Sequence, residues 1–234
     1  MMTRQQAKPS IPLSEYPERW KKVQDMMAEQ DLDFLVAYAD DRATYGPAHA
    51  RWFANFPVHF EPVCMLMPKQ GKPVMLVGPE SDQYALLAGQ IPAVRVLREF
   101  THPHEDYPYA QIQSLAEIMA ETGQESKSVK RVGVGGRGLI GADVLAALQN
   151  ALPNATWIDM ENALCDIRAQ KSPAEIEVIR YAYKIAEAGF QAAVGTIQAG
   201  VTEREVAAEI EAAMDWAGQW VLPYMQASSR NLAA

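Results

Sequence analysis

Histidines and carboxylates that could bind a metal gather in one short segment, Thr101-His102-Pro103-His104-Glu105-Asp106. Imidazole nitrogens and carboxylate oxygens are common ligands of zinc and related cations. In an extended segment, His102 and His104 would lie on the same face. A polar cluster between a predicted strand and a predicted helix is nevertheless typical of a solvated loop. We therefore expect a loop here, with a metal site as the alternative.

A glycine-rich segment, Gly133 to Gly141, satisfies the pattern G-x-G-x-x-G in two overlapping frames. The frame from Gly136 to Gly141 follows a predicted strand and opens a predicted helix. Asp159 ends the next strand, where a dinucleotide-binding fold places the carboxylate that holds the ribose. Such a fold should continue with further βαβ units, whereas this chain leaves the sheet about a dozen residues later. A glycine-rich turn is the favoured interpretation, and dinucleotide binding through Gly136-Gly141 is an alternative.

Other enzyme signatures are absent from the sequence. It contains neither G-x-S-x-G nor H-E-x-x-H, and its four histidines, at positions 49, 59, 102 and 104, suggest no catalytic triad. Cys64 and Cys165 are far apart and form no C-x-x-C motif, which favours two free cysteines in a reducing compartment.

Composition limits the possible classes of protein. The 234 residues are 49% apolar, enough for a large core, and carry a net charge of −8. This charge offers no basic surface for nucleic acid. The first thirty residues contain no apolar run of signal-peptide length, and no segment is long enough to span a bilayer. We expect a cytoplasmic protein that binds neither nucleic acid nor membrane.

Hydrophobic periodicity predicts an α/β domain after a polar arm over residues 1–13. An amphipathic helix follows Ser14, a buried strand covers 33–38, and the runs 62–67 and 73–77 form a hairpin. Helices and strands then alternate, including a helix at about 108–122. This order predicts a mixed sheet covered by helices. Residues 161–171 are interpreted as a linker.

The region after the linker predicts two capped helices. Ser172-Pro173-Ala174-Glu175 provides an N-cap hydroxyl, a proline at the first helical position and a capping-box glutamate. Thr202-Glu203-Arg204-Glu205 repeats the hydroxyl and the glutamate. Apolar residues recur at steps of three and four over 173–198 and 202–217, which predicts an αα-hairpin with an apolar face.

The string from Arg168 to Arg180, followed by Ala199-Gly200-Val201-Thr202-Glu203-Arg204-Glu205, resembles the opening of the pita-bread domain of the creatinase, prolidase and Xaa-Pro aminopeptidase family. Residues 14–160 resemble that family's creatinase-type N-terminal domain. Residues 172–234 then resemble a truncated start of the catalytic domain. The resemblance implies a hydrolase of short peptides or related C–N bonds.

The family resemblance also implies a cofactor. Members use a pair of divalent metals, such as Mn, Co or Zn, held by two Asp, one His and two Glu. All five ligands lie beyond the family segments that this sequence resembles. We therefore expect no catalytic residue, metal ligand or cofactor in this chain, and no peptidase activity from it alone. A non-catalytic oligomerisation or regulatory module is the competing interpretation.

The segment His49 to Phe56 resembles a family segment that begins a strand near the partner subunit's active site. The guanidinium of Arg51 could hold a substrate carboxylate in a bidentate manner, and Trp52 or Phe60 could form an apolar wall. These three residues are the predicted substrate contacts. The resemblance further implies a homo-oligomer, most simply a dimer, because the family's N-terminal domain contributes to dimer contacts. The apolar faces of the two C-terminal helices need a cover, so we expect these helices to take part in the interface or else to form a poorly ordered, aggregation-prone segment.

Overall fold

The structure is a computed structural model, which describes residues 8–122 and 126–218. The chain divides into two compact units. The first unit is Leu13–Gln170, and the second contains the helices that follow Lys171. No helix in the described part of the chain is both long and apolar enough to cross a membrane.

The first unit is built on a seven-stranded sheet with helices on both faces. Its strands are β1 (Phe34–Ala39), β2 (Val63–Pro68), β3 (Val74–Val77), β4 (Val94–Leu97), β5 (Ile112–Gln113), β6 (Arg131–Gly135) and β7 (Thr156–Asp159). Its helices are α1 (Glu15–Glu29), α2 (Ala48–Ala54), α3 (Asp82–Ala88), α4 (Leu115–Glu121), α5 (Ala142–Ala151) and α6 (Glu161–Ala169). Short 3-10 turns cover Arg98–Phe100 and Ser126–Ser128.

The strand order across the sheet is β5-β4-β3-β2-β1-β6-β7. β2 pairs antiparallel with β1 and β3, whereas the other neighbouring strands pair in parallel. The carboxyl ends of six strands and the amino end of β2 therefore lie along one edge of the sheet. In a sheet of this kind, that edge is where functional groups usually collect.

The hydrophobic core lies on both faces of the sheet because side chains along each strand alternate in direction. In β1, Leu35 and Ala37 contribute to the core under α1, α2 and α6, while Phe34 and Val36 face α4 and α5. All six residues of β1 are buried. The continuous apolar runs in β1 and β2 follow from this double coverage. The expected mixed sheet covered by helices is confirmed.

Three local predictions are corrected by the structure. The helix expected at about 108–122 is shorter, because β5 takes Ile112–Gln113 and a capping box of Ser114 and Glu117 starts α4 at Leu115. The supposed linker 161–171 contains α6, which buries Leu164 in the first unit. The segment His49 to Phe56 forms α2 rather than the start of a strand, and Asn55 ends that helix in a left-handed conformation.

The second unit is the predicted αα-hairpin of α7 (Pro173–Thr196) and α8 (Glu203–Gly218). Ser172 and Glu175 form the expected capping box, and Thr202 and Glu205 exchange the same pair of hydrogen bonds. The helices approach closely at Gly189, where an added Cβ would lie 2.7 Å from Cγ of Met214. Several large apolar side chains of the hairpin remain exposed: Ile176, Ile179, Tyr183, Phe190, Val194, Ile197, Met214 and Trp216.

Candidate functional site

Three groups of polar side chains lie at the carboxyl edge of the sheet in the first unit. The first is the Glu61 cluster, defined as Glu61, Glu80 and His102. The second is an ion pair of Asp40 with Arg42. The third is the His49 cluster, defined as His49, Glu161 and Arg168. Each group follows or precedes a strand of the sheet, so the strand order brings together residues that are distant in sequence.

The Glu61 cluster is centred on a buried carboxylate. Glu61 precedes β2 and is 1% exposed. Its Oε1 accepts a hydrogen bond from the backbone N–H of Glu80 at 3.2 Å, and its Oε2 accepts one from the N–H of Ser81 at 2.8 Å. A Cβ added to Gly78 would overlap the carboxyl group, so a larger residue there would require the Glu61 side chain to shift. Among the described residues, no lysine or arginine forms an ion pair with Glu61.

His102 enters this cluster from the loop after β4. Its Nε2 is shielded from solvent and has no hydrogen-bond partner within the described residues. The Phe60 ring lies against the imidazole, with centroids 5.4 Å apart. The backbone N–H of His102 donates to the hydroxyl of Tyr107 at 3.3 Å, and that hydroxyl donates to Glu105 at 2.8 Å. These contacts fix the position of the His102 loop.

The loop geometry separates the two histidines that the sequence placed on one face. His104 has a φ of 67° and is exposed, so the segment turns rather than extends. One ligand atom from each of Glu61, Glu80 and His102 lies within 4.8 Å of the other two. The partners of His102 are therefore glutamates from other loops, and neither His104 nor Asp106 belongs to this group. The sequence signal that could have found this group is a polar residue next to the end of each of three strands, of which only 62–67 and 73–77 were predicted to pair.

Asp40, which follows β1, is also buried, but it is neutralised by Arg42. The Arg42 Nε donates to Asp40 Oδ2 at 2.7 Å, and its Nη2 donates to the carbonyl of Leu139 at 2.6 Å and to the Tyr38 hydroxyl at 3.2 Å. The hydrogen bond to Asp40 raises the pKa of Arg42. Burial raises the pKa of Tyr38 to about 12. This group ties β1 to the glycine-rich turn.

The His49 cluster links α2, the glycine-rich turn and α6. His49 is buried, with its Nε2 3.2 Å from Glu161 Oε2 and its Nδ1 3.4 Å from Arg168 Nη1. Arginine can only donate, so Nδ1 accepts and Nε2 carries the proton given to Glu161. Burial lowers the pKa of His49, the negative charge of Glu161 opposes this shift, and Arg168 reinforces it. The ring is therefore a neutral structural link at pH 7.

The glycine-rich turn is filled by the protein's own side chains. The N–H of Gly136, at a φ of 73°, donates to Glu161 Oε2 at 2.5 Å. A dinucleotide would need this amide for its pyrophosphate, and the Glu161 carboxylate would repel that group. Asp159 accepts from the N–H of Glu161 at 2.9 Å. This arrangement favours the structural turn over dinucleotide binding.

The predicted substrate contacts lie in different surroundings. Arg51 is exposed on α2, and burial of part of its side chain lowers its pKa while Tyr84 and Tyr16 oppose the shift. Trp52 is packed in the core, and the Arg19 guanidinium lies 5.3 Å from its ring centroid. Phe60 is 61% exposed at the sheet edge, with a φ of 69°. Arg51 and Phe60 are thus accessible from solvent, whereas Trp52 supports the core.

Neither cysteine has the environment of a nucleophile. Burial raises the pKa of Cys64 to about 12. Cys165 is exposed, and its pKa is raised by partial burial and by the negative charge of Glu161. Reactive cysteines require a lowered pKa, so both side chains are thiols at pH 7.

Comparison with known proteins identifies relatives of this fold. Residues 19–170 match the family described as "Creatinase/Prolidase N-terminal domain". An uncharacterized hydrolase/peptidase of Sinorhizobium fredii is 30% identical over 202 residues, which are 84% of this chain and 49% of the relative. The chain thus spans about half the length of this relative.

Solved structures show the same architecture. The prolidase from Pyrococcus horikoshii has a TM-score of 0.63 and 19% identity, over 86% of this chain and 49% of that one. A Xaa-Pro dipeptidase from Bacillus anthracis has a TM-score of 0.60 and 20% identity, over 87% of this chain and 50% of that one. At these identities the likeness defines the fold.

Proposed function

Because the chain belongs to the creatinase/prolidase N-terminal domain family, we propose that it forms the amino-terminal part of a hydrolase acting on short peptides of the Xaa-Pro type. The observation that carries the proposal is the family match over residues 19–170, which falls within the compact unit Leu13–Gln170. The names of the structural relatives, a prolidase and a Xaa-Pro dipeptidase, supply the substrate class.

The metal pair implied by the family does not fit the residues described here. Within residues 8–122 and 126–218, one group of possible ligands lies close enough to bind a cation, and it consists of Glu61, Glu80 and His102. The family's pair requires five ligands, including two aspartates. We derive no hydrolytic step from this chain, and we propose that the 234-residue polypeptide alone does not cleave peptides.

Arg51 is the proposed substrate contact within this domain. Its guanidinium is accessible, stays protonated at any physiological pH, and matches a peptide carboxylate in bidentate geometry. Phe60, at the exposed sheet edge, is the proposed apolar contact. The buried position of Trp52 favours an indirect role, in which its packing against Arg19 holds α2 in place.

Self-association is the second part of the proposal. The exposed apolar side chains of α7 and α8 form a face that soluble monomers rarely leave uncovered. We propose that a second copy of the chain covers this face in a homodimer. A purely non-catalytic oligomerisation module would use the same face, so activity measurements must separate the two possibilities.

A fusion protein tests the catalytic assignment. Residues 1–170 of this chain would replace the matching part of the Sinorhizobium fredii relative, with which the chain aligns over 202 residues. The fusion, the intact relative and the 234-residue polypeptide would be assayed on Ala-Pro and Gly-Pro with Mn²⁺, Co²⁺ or Zn²⁺. We expect turnover by the fusion and the intact relative only. Turnover by the isolated polypeptide, or a folded fusion without turnover, would contradict the proposal.

A further inference from the structure

Glu61 is a buried acidic residue without a cationic partner among the described residues. An ionised carboxylate taken out of water is costly unless a cation or a metal compensates it. The other buried acid at this edge, Asp40, has Arg42 for this purpose. Glu61 is equally buried but has only two backbone N–H groups as partners among the described residues. Among the described residues, Glu61 therefore has no compensating positive charge.

Further negative charge surrounds this position. Glu80 follows β3 and directs a carboxylate oxygen to within 4.8 Å of the Glu61 and His102 ligand atoms. The pKa of the nearby Tyr109 phenol reflects this negative charge. It is raised first by burial and then by the carboxylates of Glu80, Asp82, Glu61 and Glu105. The charges at this edge thus favour a cation over any anion.

His102 supplies an independent observation that points to a ligand. Its Nε2 is shielded from solvent and has no hydrogen-bond partner in the part of the chain that the structure describes. Buried polar atoms in native proteins are nearly always satisfied. One ring nitrogen of His102 lies within 4.8 Å of a carboxylate oxygen of Glu61 and of Glu80, and histidine and carboxylate ligands are both found in sites for divalent transition metals.

We propose that Glu61, Glu80 and His102 bind one divalent transition-metal cation of the zinc type, with water completing the coordination. Zinc lies about 2.0–2.2 Å from nitrogen and oxygen ligands, so in tetrahedral geometry two ligand atoms of one site are about 3.4 Å apart. The ligand atoms of Glu61, Glu80 and His102 all lie within 4.8 Å of one another, so binding a cation requires a contraction of this group. The exposed side chain of Glu80 can provide it by rotating.

The surroundings hold the other two ligands in place. The N–H groups of Glu80 and Ser81 orient the Glu61 carboxylate. The Phe60 ring and the Tyr107 hydroxyl position His102. Contacts that fix ligand orientation in this way are typical of metal sites. This inference replaces the expectation from sequence that the chain holds no metal, and it does not depend on the proposed peptidase role.

Equilibrium dialysis of the full 234-residue chain tests the site. The protein, free of any affinity tag and stripped of metal by a chelator, would be dialysed against Zn²⁺, with Mg²⁺ as a hard-cation comparison. The test variants are Glu80→Gln and His102→Asn. The matched controls are His104→Asn and Asp106→Asn, which change the same kinds of group outside the cluster, in the loop that carries His102. Asparagine tolerates the positive φ of His104.

We expect one Zn²⁺ per chain, with affinity at least about tenfold lower in each test variant and unchanged in the controls. Zn²⁺ should also raise the melting temperature of the wild-type protein and of the controls, but not that of the test variants. Far-UV circular dichroism would verify that every variant is folded. Absence of stoichiometric binding would overturn the proposal, as would binding that both test variants retain. Equal binding of Mg²⁺ would overturn the assignment to a transition metal.

Discussion

Gly78 lies directly over the buried carboxyl group of Glu61, and no Cβ can be placed on it without overlap. Gly78 follows β3 and Glu61 precedes β2, so this contact joins two adjacent strands at the edge where the Glu61 cluster forms. The Glu61 carboxyl group cannot easily move away from Gly78, because it accepts hydrogen bonds from two backbone N–H groups and is buried. The lack of a side chain at Gly78 thus leaves the space that the Glu61 carboxyl group occupies.

Gly78→Ala should therefore reduce the free energy of unfolding by about 1–3 kcal/mol, the usual cost of overpacking. Urea denaturation would measure the loss. Gly138→Ala is the matched control, because nothing lies within 4 Å of a Cβ there. The control should stay within about 1 kcal/mol of the wild type. Equal stability of the two variants would show that Glu61 moves freely.

Residues 13–170 should fold without the rest of the chain, because the sheet and both parts of its core lie within that range. A polypeptide of residues 13–160 lacks α6 and with it the buried Leu164 and the Glu161 bonds to Gly136 and His49. Its free energy of unfolding should be lower by at least about 2 kcal/mol. Thermal and urea unfolding of both polypeptides would measure this. Equal stability would place the boundary before α6, as the sequence had suggested.

Stability should fall as the pH drops from about 7 to 5, because the pKa of His49 is lower in the folded protein than its ordinary value of 6.5. In this window the unfolded chain binds a proton at His49 that the folded chain does not. The stabilisation due to the neutral His49 is complete above the pKa that His49 has in the unfolded chain. It is lost as the pH falls toward the lower pKa that His49 has in the folded protein. Urea midpoints measured across this range would show the decline.

The matched variants for this pH dependence are His49→Gln and His104→Gln. The first removes the buried imidazole and should flatten the decline between pH 7 and 5, whatever its effect on absolute stability. The second removes an exposed imidazole and should leave the decline unchanged. A decline that persists in His49→Gln would assign the effect to another group.

Phe190→Glu should shift the protein toward the monomer in light scattering. Phe190 is 64% exposed on α7, and covering such a side chain contributes at least about 1.5 kcal/mol to association. Leu87→Glu, at an 83% exposed site on α3 in the first unit, is the control and should leave the molar mass unchanged. A wild-type protein that is monodisperse and monomeric would contradict the proposed dimer.

Local sequence signals predicted the helix starts and the buried strands well. The capping boxes at Ser172 and Ser114 illustrate both success and error. The first was recognised and α7 begins there, whereas the second was overlooked and α4 was predicted to start several residues too early. A cap is a local interaction, so its residues suffice to place it when they are given more weight than a broad apolar pattern.

The Glu61 cluster could not be predicted in the same way, because its three residues come from three separate loops. His102 was recognised as a possible ligand, but its neighbours in sequence were taken as its partners. The loop turns at His104, and the order of β2, β3 and β4 brings Glu61 and Glu80 to His102 instead. Such a site depends on strand pairing, which the sequence specifies only through the whole sheet.

The parallel pairing of β1 with β6 has a consequence for synthesis of the chain. β1 can pair with β2 soon after both leave the ribosome, but its other edge must wait for Val132 and its neighbours, about a hundred residues after Phe34. At ordinary translation rates this delay is roughly 5 to 20 s. Throughout it, the apolar edge of Phe34–Ala39 remains open to pairing with a strand of another nascent chain. Slower translation before Arg131 would lengthen this exposure, and a chaperone that shields β1 would counteract it.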